Sequence, residues 1–114
     1  MNAVTGPETG PWIEICSLDE LPRRGARVCA LPGHDVALFR TEDDRVFALR
    51  DRCPHKGGPL SQGLVVGDAV TCPLHGWTLE LASGAARAPD VGCAARHAVR
   101  VVDGMVWLCS DADG

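Results

Sequence analysis

Residues 53–58 read Cys-Pro-His-Lys-Gly-Gly and residues 72–77 read Cys-Pro-Leu-His-Gly-Trp, a Cys-x-His and a Cys-x-x-His separated by sixteen residues. Two of the four histidines and two of the six cysteines fall in these short windows. Each window offers one thiolate and one imidazole within a single turn of backbone, which is how one loop supplies two ligands to one metal centre. Pro54 and Pro73 restrict the chain directly after each cysteine and remove an N–H, while Gly57, Gly58 and Gly76 leave bare amides able to approach sulfur. Four ligands, Cys53, His55, Cys72 and His75, suit either a structural zinc ion or a [2Fe–2S] cluster with two cysteines on one iron and two histidines on the other. Common zinc fingers pair Cys-x-x-Cys with two histidines on a helix, whereas each loop here mixes the two residue types.

Outward from these windows the chain is a series of short apolar runs punctuated by turn residues, without the i, i+3, i+4 spacing of a long helix. Strands are expected over Trp12 to Cys16, Arg27 to Leu31, Asp35 to Arg40 and Arg45 to Arg50. Between the first two, Ser17-Leu18-Asp19-Glu20-Leu21 reads as a capped helical turn stopped by Pro22. Further hairpins are expected at Leu64 to Val66 with Ala69 to Cys72, and at Thr78 to Leu81 with Ala85 to Arg87. The last, Ala98 to Val102 with Met105 to Leu108, turns at Asp103-Gly104, a strong hairpin signal. The pattern implies an all-β domain over residues 11–109, between a flexible tail at 1–10 and another at 110–114.

Length and charge narrow the function. With 114 residues the chain is one domain that can fold without a staple, and its net charge of −4, with eleven scattered basic residues, argues against nucleic acid. No apolar run has the length of a membrane helix and no leader is recognisable, so a cytoplasmic protein that does not bind membranes is expected. In that compartment the cysteines are not expected to pair with one another.

CPHKGG and CPLHGW resemble the two cluster-binding loops of the Rieske family. That resemblance implies three stacked antiparallel sheets with one [2Fe–2S] cluster clamped between the loops, Cys53 and Cys72 on the inner iron and His55 and His75 on the outer. Two thiolates leave the oxidised cluster about neutral, which makes reduction easier than with four cysteines. High-potential members carry an extra cysteine pair at positions matching Gly58 and Leu74, and a Ser and a Tyr near the second loop. This chain has neither cysteine and no tyrosine, so its potential is expected toward the low end of roughly −150 to +300 mV. The second imidazole N–H of each ligand is acidified by ferric iron, so reduction is expected to favour proton uptake.

His75-Gly76-Trp77 is also similar to the Rieske domain of ring-hydroxylating oxygenases, but their mononuclear iron site needs a further domain for which this chain has no room. The expected role is therefore electron carriage with no catalytic residue of its own. The run from Cys53 to Cys93, including Pro59-Leu60-Ser61-Gln62-Gly63 and Ala88-Pro89-Asp90-Val91-Gly92-Cys93, resembles the small subunit of assimilatory NAD(P)H nitrite reductase. The resemblance implies a partner large subunit carrying FAD, sirohaem and a [4Fe–4S] cluster, which reduces nitrite to ammonia. A stand-alone ferredoxin for a ring-hydroxylating dioxygenase and a zinc-bound or cluster-free assembly module are the alternatives.

The remaining candidates read more plainly. Cys16, Cys29, Cys93 and Cys109 are expected as buried thiols, Cys93 least securely because it follows Gly92 in a loop. His34 reads as a turn residue and His97 as the start of a strand; neither is expected to be a ligand. Trp12 and Trp107 are expected in the core, and Trp77 and Leu74 packed over the centre. Lys56 is a candidate for docking or tuning, and Glu42-Asp43-Asp44 reads as a polar turn.

Overall fold

The computed structural model describes residues 12–54, 58–73 and 76–113. Its strands are β1 Trp12–Ser17, β2 Gly25–Leu31, β3 His34–Arg40, β4 Val46–Arg50, β5 Leu64–Val66, β6 Ala69–Thr71, β7 Thr78–Glu80, β8 Arg96–Val102 and β9 Met105–Asp113. All pairings are antiparallel, in a six-stranded sheet ordered β1-β9-β8-β4-β3-β2 and a three-stranded sheet ordered β5-β6-β7. The all-β expectation holds, with 3-10 turns at Leu18–Glu20 and Leu60–Gln62. The three expected layers are present, but two of them are halves of one hydrogen-bonded sheet, so the sheets number two rather than three. Ala48 pairs with His97 and Leu49 with Arg96, and these two register pairs weld β1-β9-β8 to β4-β3-β2.

β3 and β4 occupy the middle of the molecule because their side chains are apolar on both faces. Val36, Leu38 and Ala48 point into one core with Cys16, Leu21, Val106 and Leu108. Ala37, Phe39 and Leu49 point the other way, into a core shared with Val65, Val70, Leu79 and Leu81 of the smaller sheet and its flank. The large sheet curls around the first core. Its edge strands β1 and β2, at opposite ends of the pairing order, contribute Cys16 and the partly buried Cys29 to that same core. Arg27 of β2 also reaches Glu20, just beyond β1, at 3.3 Å.

Arg40 ties the curl shut. Its side chain is mostly buried, and Nη1 donates to the carbonyls of Leu18 and Leu21 at 3.1 and 2.8 Å, while Nε and Nη2 donate to Asp44 Oδ1 at 3.0 and 2.8 Å. Arg23 donates to the same carboxylate at 2.9 Å. The hydrogen bond from Arg23 and then that from Arg40 hold the Asp44 carboxyl at about 2, below its ordinary value. Asp44 reaches both guanidinium groups from a left-handed backbone, φ +67, which a short polar side chain tolerates. At the last hairpin Asp103 and Gly104 have φ +51 and +76, the pair of left-handed residues that its tight turn requires.

Several expectations are corrected. β9 continues through Asp113, pairing Ala112 with His97 and Asp113 with Arg96, where a tail had been expected from residue 110; backbone ladder bonds need no apolar side chains. The expected N-terminal tail at 1–10 lies outside the described residues. Ala85 to Arg87 does meet Thr78–Glu80 as expected, through the antiparallel bridge of Leu79 with Ala86. The Glu80 N–H donates to the Ala85 carbonyl and the Arg87 N–H to the Thr78 carbonyl, both at 2.8 Å. The segment is bridged rather than a full strand, and Ala85 also bridges to Cys93. Trp12 and Trp107 are only partly buried. Their register puts them on the outer face of the sheet, where the Arg100 guanidinium lies 4.8 Å from the Trp12 ring centroid. His34 opens β3, opposite Leu31, rather than sitting in the turn.

Phe39, fully buried in the inter-sheet core, is expected to cost about 3–5 kcal/mol of unfolding free energy when replaced by Ala, read by denaturant titration. Val91→Ala, at a position 87% exposed, is expected to change it by less than about 0.5 kcal/mol. Because the folded carboxyl of Asp44 is depressed, its stabilisation is present at neutral pH and is lost as pH falls from the ordinary carboxylate range through about 2. Asp44→Asn should therefore melt below the parent at pH 7, with the gap closing near pH 2.

Candidate metal centre

The two sequence windows become two loops of the same construction. The Cys53 N–H donates to the Gly58 carbonyl at 2.8 Å, and the Cys72 N–H to the Trp77 carbonyl at 2.6 Å, so each loop is closed five residues beyond its cysteine. In the second loop the Gly76 N–H also returns to the Cys72 carbonyl at 3.1 Å, with Gly76 at φ +73. Cys53 and Cys72 are each 2% exposed and belong to the core between the two sheets. Trp77 packs against that core, as expected. His55, His75, Lys56 and Leu74 lie outside the described residues.

The stems of the loops differ. The second leaves from β6 and returns into β7, its neighbour, and Thr71 and Thr78 face each other across the stem with hydroxyls 3.1 Å apart. The first leaves β4 of the large sheet and ends at the 3-10 turn Leu60–Gln62, which leads into β5 of the small one. There the Asp51 carboxylate accepts from the Ser61 N–H at 2.7 Å and from its hydroxyl at 2.8 Å. Sequence reading missed this contact, since ten residues separate the partners; the only trace was the polar pair flanking the first window.

A third segment closes over both loops. Gly92, at φ +146, comes so near that a Cβ there would stand 3.2 Å from Pro54 and 3.6 Å from the Trp77 ring. Only glycine combines that backbone with that approach. Its neighbour Cys93 is exposed, which corrects the expectation of a buried thiol, whereas Cys16 and Cys109 are buried and Cys29 is partly so. Burial pushes the Cys16 and Cys29 thiols above their ordinary value. The six cysteines form no disulfide.

His34 and His97 meet away from the loops. Their Nε2 atoms are 3.0 Å apart, and Nδ1 of the buried His97 lies 2.8 Å from the Cys109 carbonyl, so that nitrogen carries the proton and donates. His97 sits opposite Ala48, on the face of the sheet turned from the cysteine loops. Among the described residues no three His, Cys, Asp or Glu side chains gather into a metal-binding group.

The donor set fits a soft metal centre: two thiols removed from water, one in each of two like-built loops, at one end of a rigid β scaffold. This geometry defines a two-loop metal-centre domain. A family model, the Rieske [2Fe-2S] domain, matches residues 11–103, and the chain belongs to that family. The family implies a Rieske-type [2Fe–2S] cluster as cofactor and electron transfer within oxidoreductase systems.

Among relatives, the chain is 29% identical over 109 residues to the oxidoreductase NdmD of Pseudomonas putida, covering 88% of this chain and 18% of that protein. It spans about a quarter or less of the first curated relatives it matches. It is 30% identical to the anthranilate 1,2-dioxygenase ferredoxin subunit of Burkholderia cepacia, covering 83% of this chain and 88% of that one. Among solved structures it superposes with a TM-score of 0.81 at 26% identity on a Mycobacterium tuberculosis protein provisionally described as an NADH-dependent nitrite reductase small subunit, covering 92% and 99%. No helix among the described residues is long and apolar enough to cross a membrane.

The thiols should separate under iodoacetamide at neutral pH. Cys93 is expected to alkylate first and Cys16 only on unfolding, read by mass spectrometry of the digested protein.

Proposed function

We propose that Cys53 and Cys72 hold one iron and His55 and His75 the other of a Rieske cluster, and that the chain is the electron-transfer small subunit of an assimilatory NAD(P)H nitrite reductase. The observation that carries the ligand reading is the matched pair of loops, each presenting one buried cysteine and each closed by a Cys N–H to a carbonyl five residues on. When bound, the cluster supplies one-electron transfer. The protein keeps water from the two sulfurs, and Trp77 and Gly92 pack the three segments together. Around the loops Pro54, Pro73 and Val91 are exposed and uncharged, a surface against which a partner can close at little desolvation cost.

The nitrite reductase assignment is supported by the run from Cys53 to Cys93 and by the likeness to the Mycobacterium tuberculosis structure. Its partner would be the large subunit carrying FAD, sirohaem and a [4Fe–4S] cluster, in the cytoplasm, and nitrite chemistry would take place there. A second reading, a ferredoxin for a ring-hydroxylating dioxygenase, is favoured by the anthranilate dioxygenase relative, which matches this chain over most of both lengths.

Purified protein is expected to contain two irons per chain and, when reduced, to give the low-average-g signal of mixed Cys and His ligation. Zinc in place of iron would overturn the cluster reading. Cys53→Ala and His75→Ala should each abolish the signal, and the midpoint should lie below roughly +100 mV by redox titration. Capture of a sirohaem flavoprotein by the tagged chain from its native cells supports the nitrite reductase; capture of an oxygenase component supports the ferredoxin.

A further inference from the structure

The two loops face the same mechanical problem with unequal means. The second is the tip of a β hairpin, so the ladder between β6 and β7 holds its ends together. The first has its ends in different sheets, and no strand pairing can close it. Its entry is fixed where the Asp51 N–H donates to the Asp35 carbonyl at 2.9 Å, at the start of β3. Its exit is fixed where Leu60, fully buried, enters the inter-sheet core beside Cys53.

Between those anchors the Asp51 side chain makes the closing contact. One carboxylate oxygen takes the Ser61 N–H at 2.7 Å and the other takes the Ser61 hydroxyl at 2.8 Å, both partly buried. A carboxylate accepts at both oxygens, so one side chain satisfies both donors of one residue, and such charge-assisted bonds are about twice as strong as neutral ones. The residue that directly follows β4 of the large sheet is thereby latched to the 3-10 turn that leads into β5 of the small one, two residues before Cys53.

We propose that Asp51, latched to Ser61, is a positioning residue that holds the first loop in the geometry the cluster requires. It acts through the loop's closure rather than as a ligand. Two further features agree. The loop is closed again above the latch by the Cys53 N–H to Gly58 carbonyl bond at 2.8 Å, so a displacement at the base is carried to the cysteine. The equivalent contact in the second loop, Thr71 with Thr78, is a single neutral hydroxyl pair on an already paired stem, so it carries less of that loop's order. Thr78→Val is therefore the comparison variant.

The inference rests on the ligand reading of Cys53 and His55, and its test separates the two. Wild-type protein, Asp51→Ala, Asp51→Asn, Ser61→Ala and Thr78→Val are loaded with iron and sulfide. Iron release to a ferrous chelator is timed well below the melting temperature, with EPR of the reduced state and redox titration on the same samples. Asp51→Ala is expected to release iron about tenfold faster, the scale of losing a charge-assisted pair. Its g-values and midpoint should shift with it. Ser61→Ala, which keeps the backbone bond, should fall between. Asp51→Asn, which still accepts the Ser61 N–H, should recover most of the retention, and Thr78→Val should stay near wild type.

A wild-type protein without a Rieske signal sinks the ligand reading. A loaded wild type whose Asp51 and Ser61 variants keep its release rate, g-values and midpoint overturns the positioning role alone, even if their melting temperatures fall. If Asp51→Ala does not fold, Ser61→Ala and Asp51→Asn decide the matter by the same measurements.

Discussion

The structure depends on one apolar layer. Ala37, Phe39 and Leu49 of the central strands meet Val65, Val70 and Leu79 of the three-stranded sheet, and every residue in this set is nearly or fully shielded from water. A three-stranded sheet of three-residue strands does not hold its shape alone. It does so here because one of its faces is buried against a larger sheet whose β3 and β4 are apolar on both sides. Cys53 and Cys72 are members of that same layer. These two thiols are thus the end of the hydrophobic core, and the burial that stabilises the fold also keeps water from the sulfurs.

From that layer the rest of the site follows. The loops rise from its edge, so their cysteines stay dry while Pro54 and Pro73, directly after them, are exposed. One loop inherits its rigidity from strand pairing. The other must obtain it from side-chain chemistry because it crosses between sheets, and Asp51 with Ser61 provides it. Gly92 then lets a third segment lie against Pro54 and Trp77, locking the loops to each other. At the opposite side of the large sheet, Arg40 and Asp44 do the corresponding work of holding the curl closed.

The family kinship of the two loops was legible in one dimension because its pattern is local: a thiol and an imidazole within three residues, with proline and glycine around them, is a motif a loop carries by itself. Strand identities were legible for the same reason, since short apolar runs between turn residues are local features, and Asp103-Gly104 named its own turn. The misreadings are non-local. Trp12 and Trp107 are large and apolar, yet which face of β1 and β9 turns inward depends on register against strands far along the chain. The polar residues after Cys109 looked like a tail, yet β8 was there to pair with them. Cys93 looked like its buried counterparts, yet its neighbour Gly92 runs over the surface of two loops.

The amino-acid sequence by itself determined the all-β class and the family kinship carried by the two Cys- and His-bearing windows, because each rests on residues adjacent in the chain. Tertiary structure alone decided that two register pairs, Ala48 with His97 and Leu49 with Arg96, turn three expected sheets into two. It also decided that Asp51 finds Ser61 across the gap between them. Both are contacts between segments whose meeting depends on how the whole sheet curls and packs, and no local pattern of side chains encodes that.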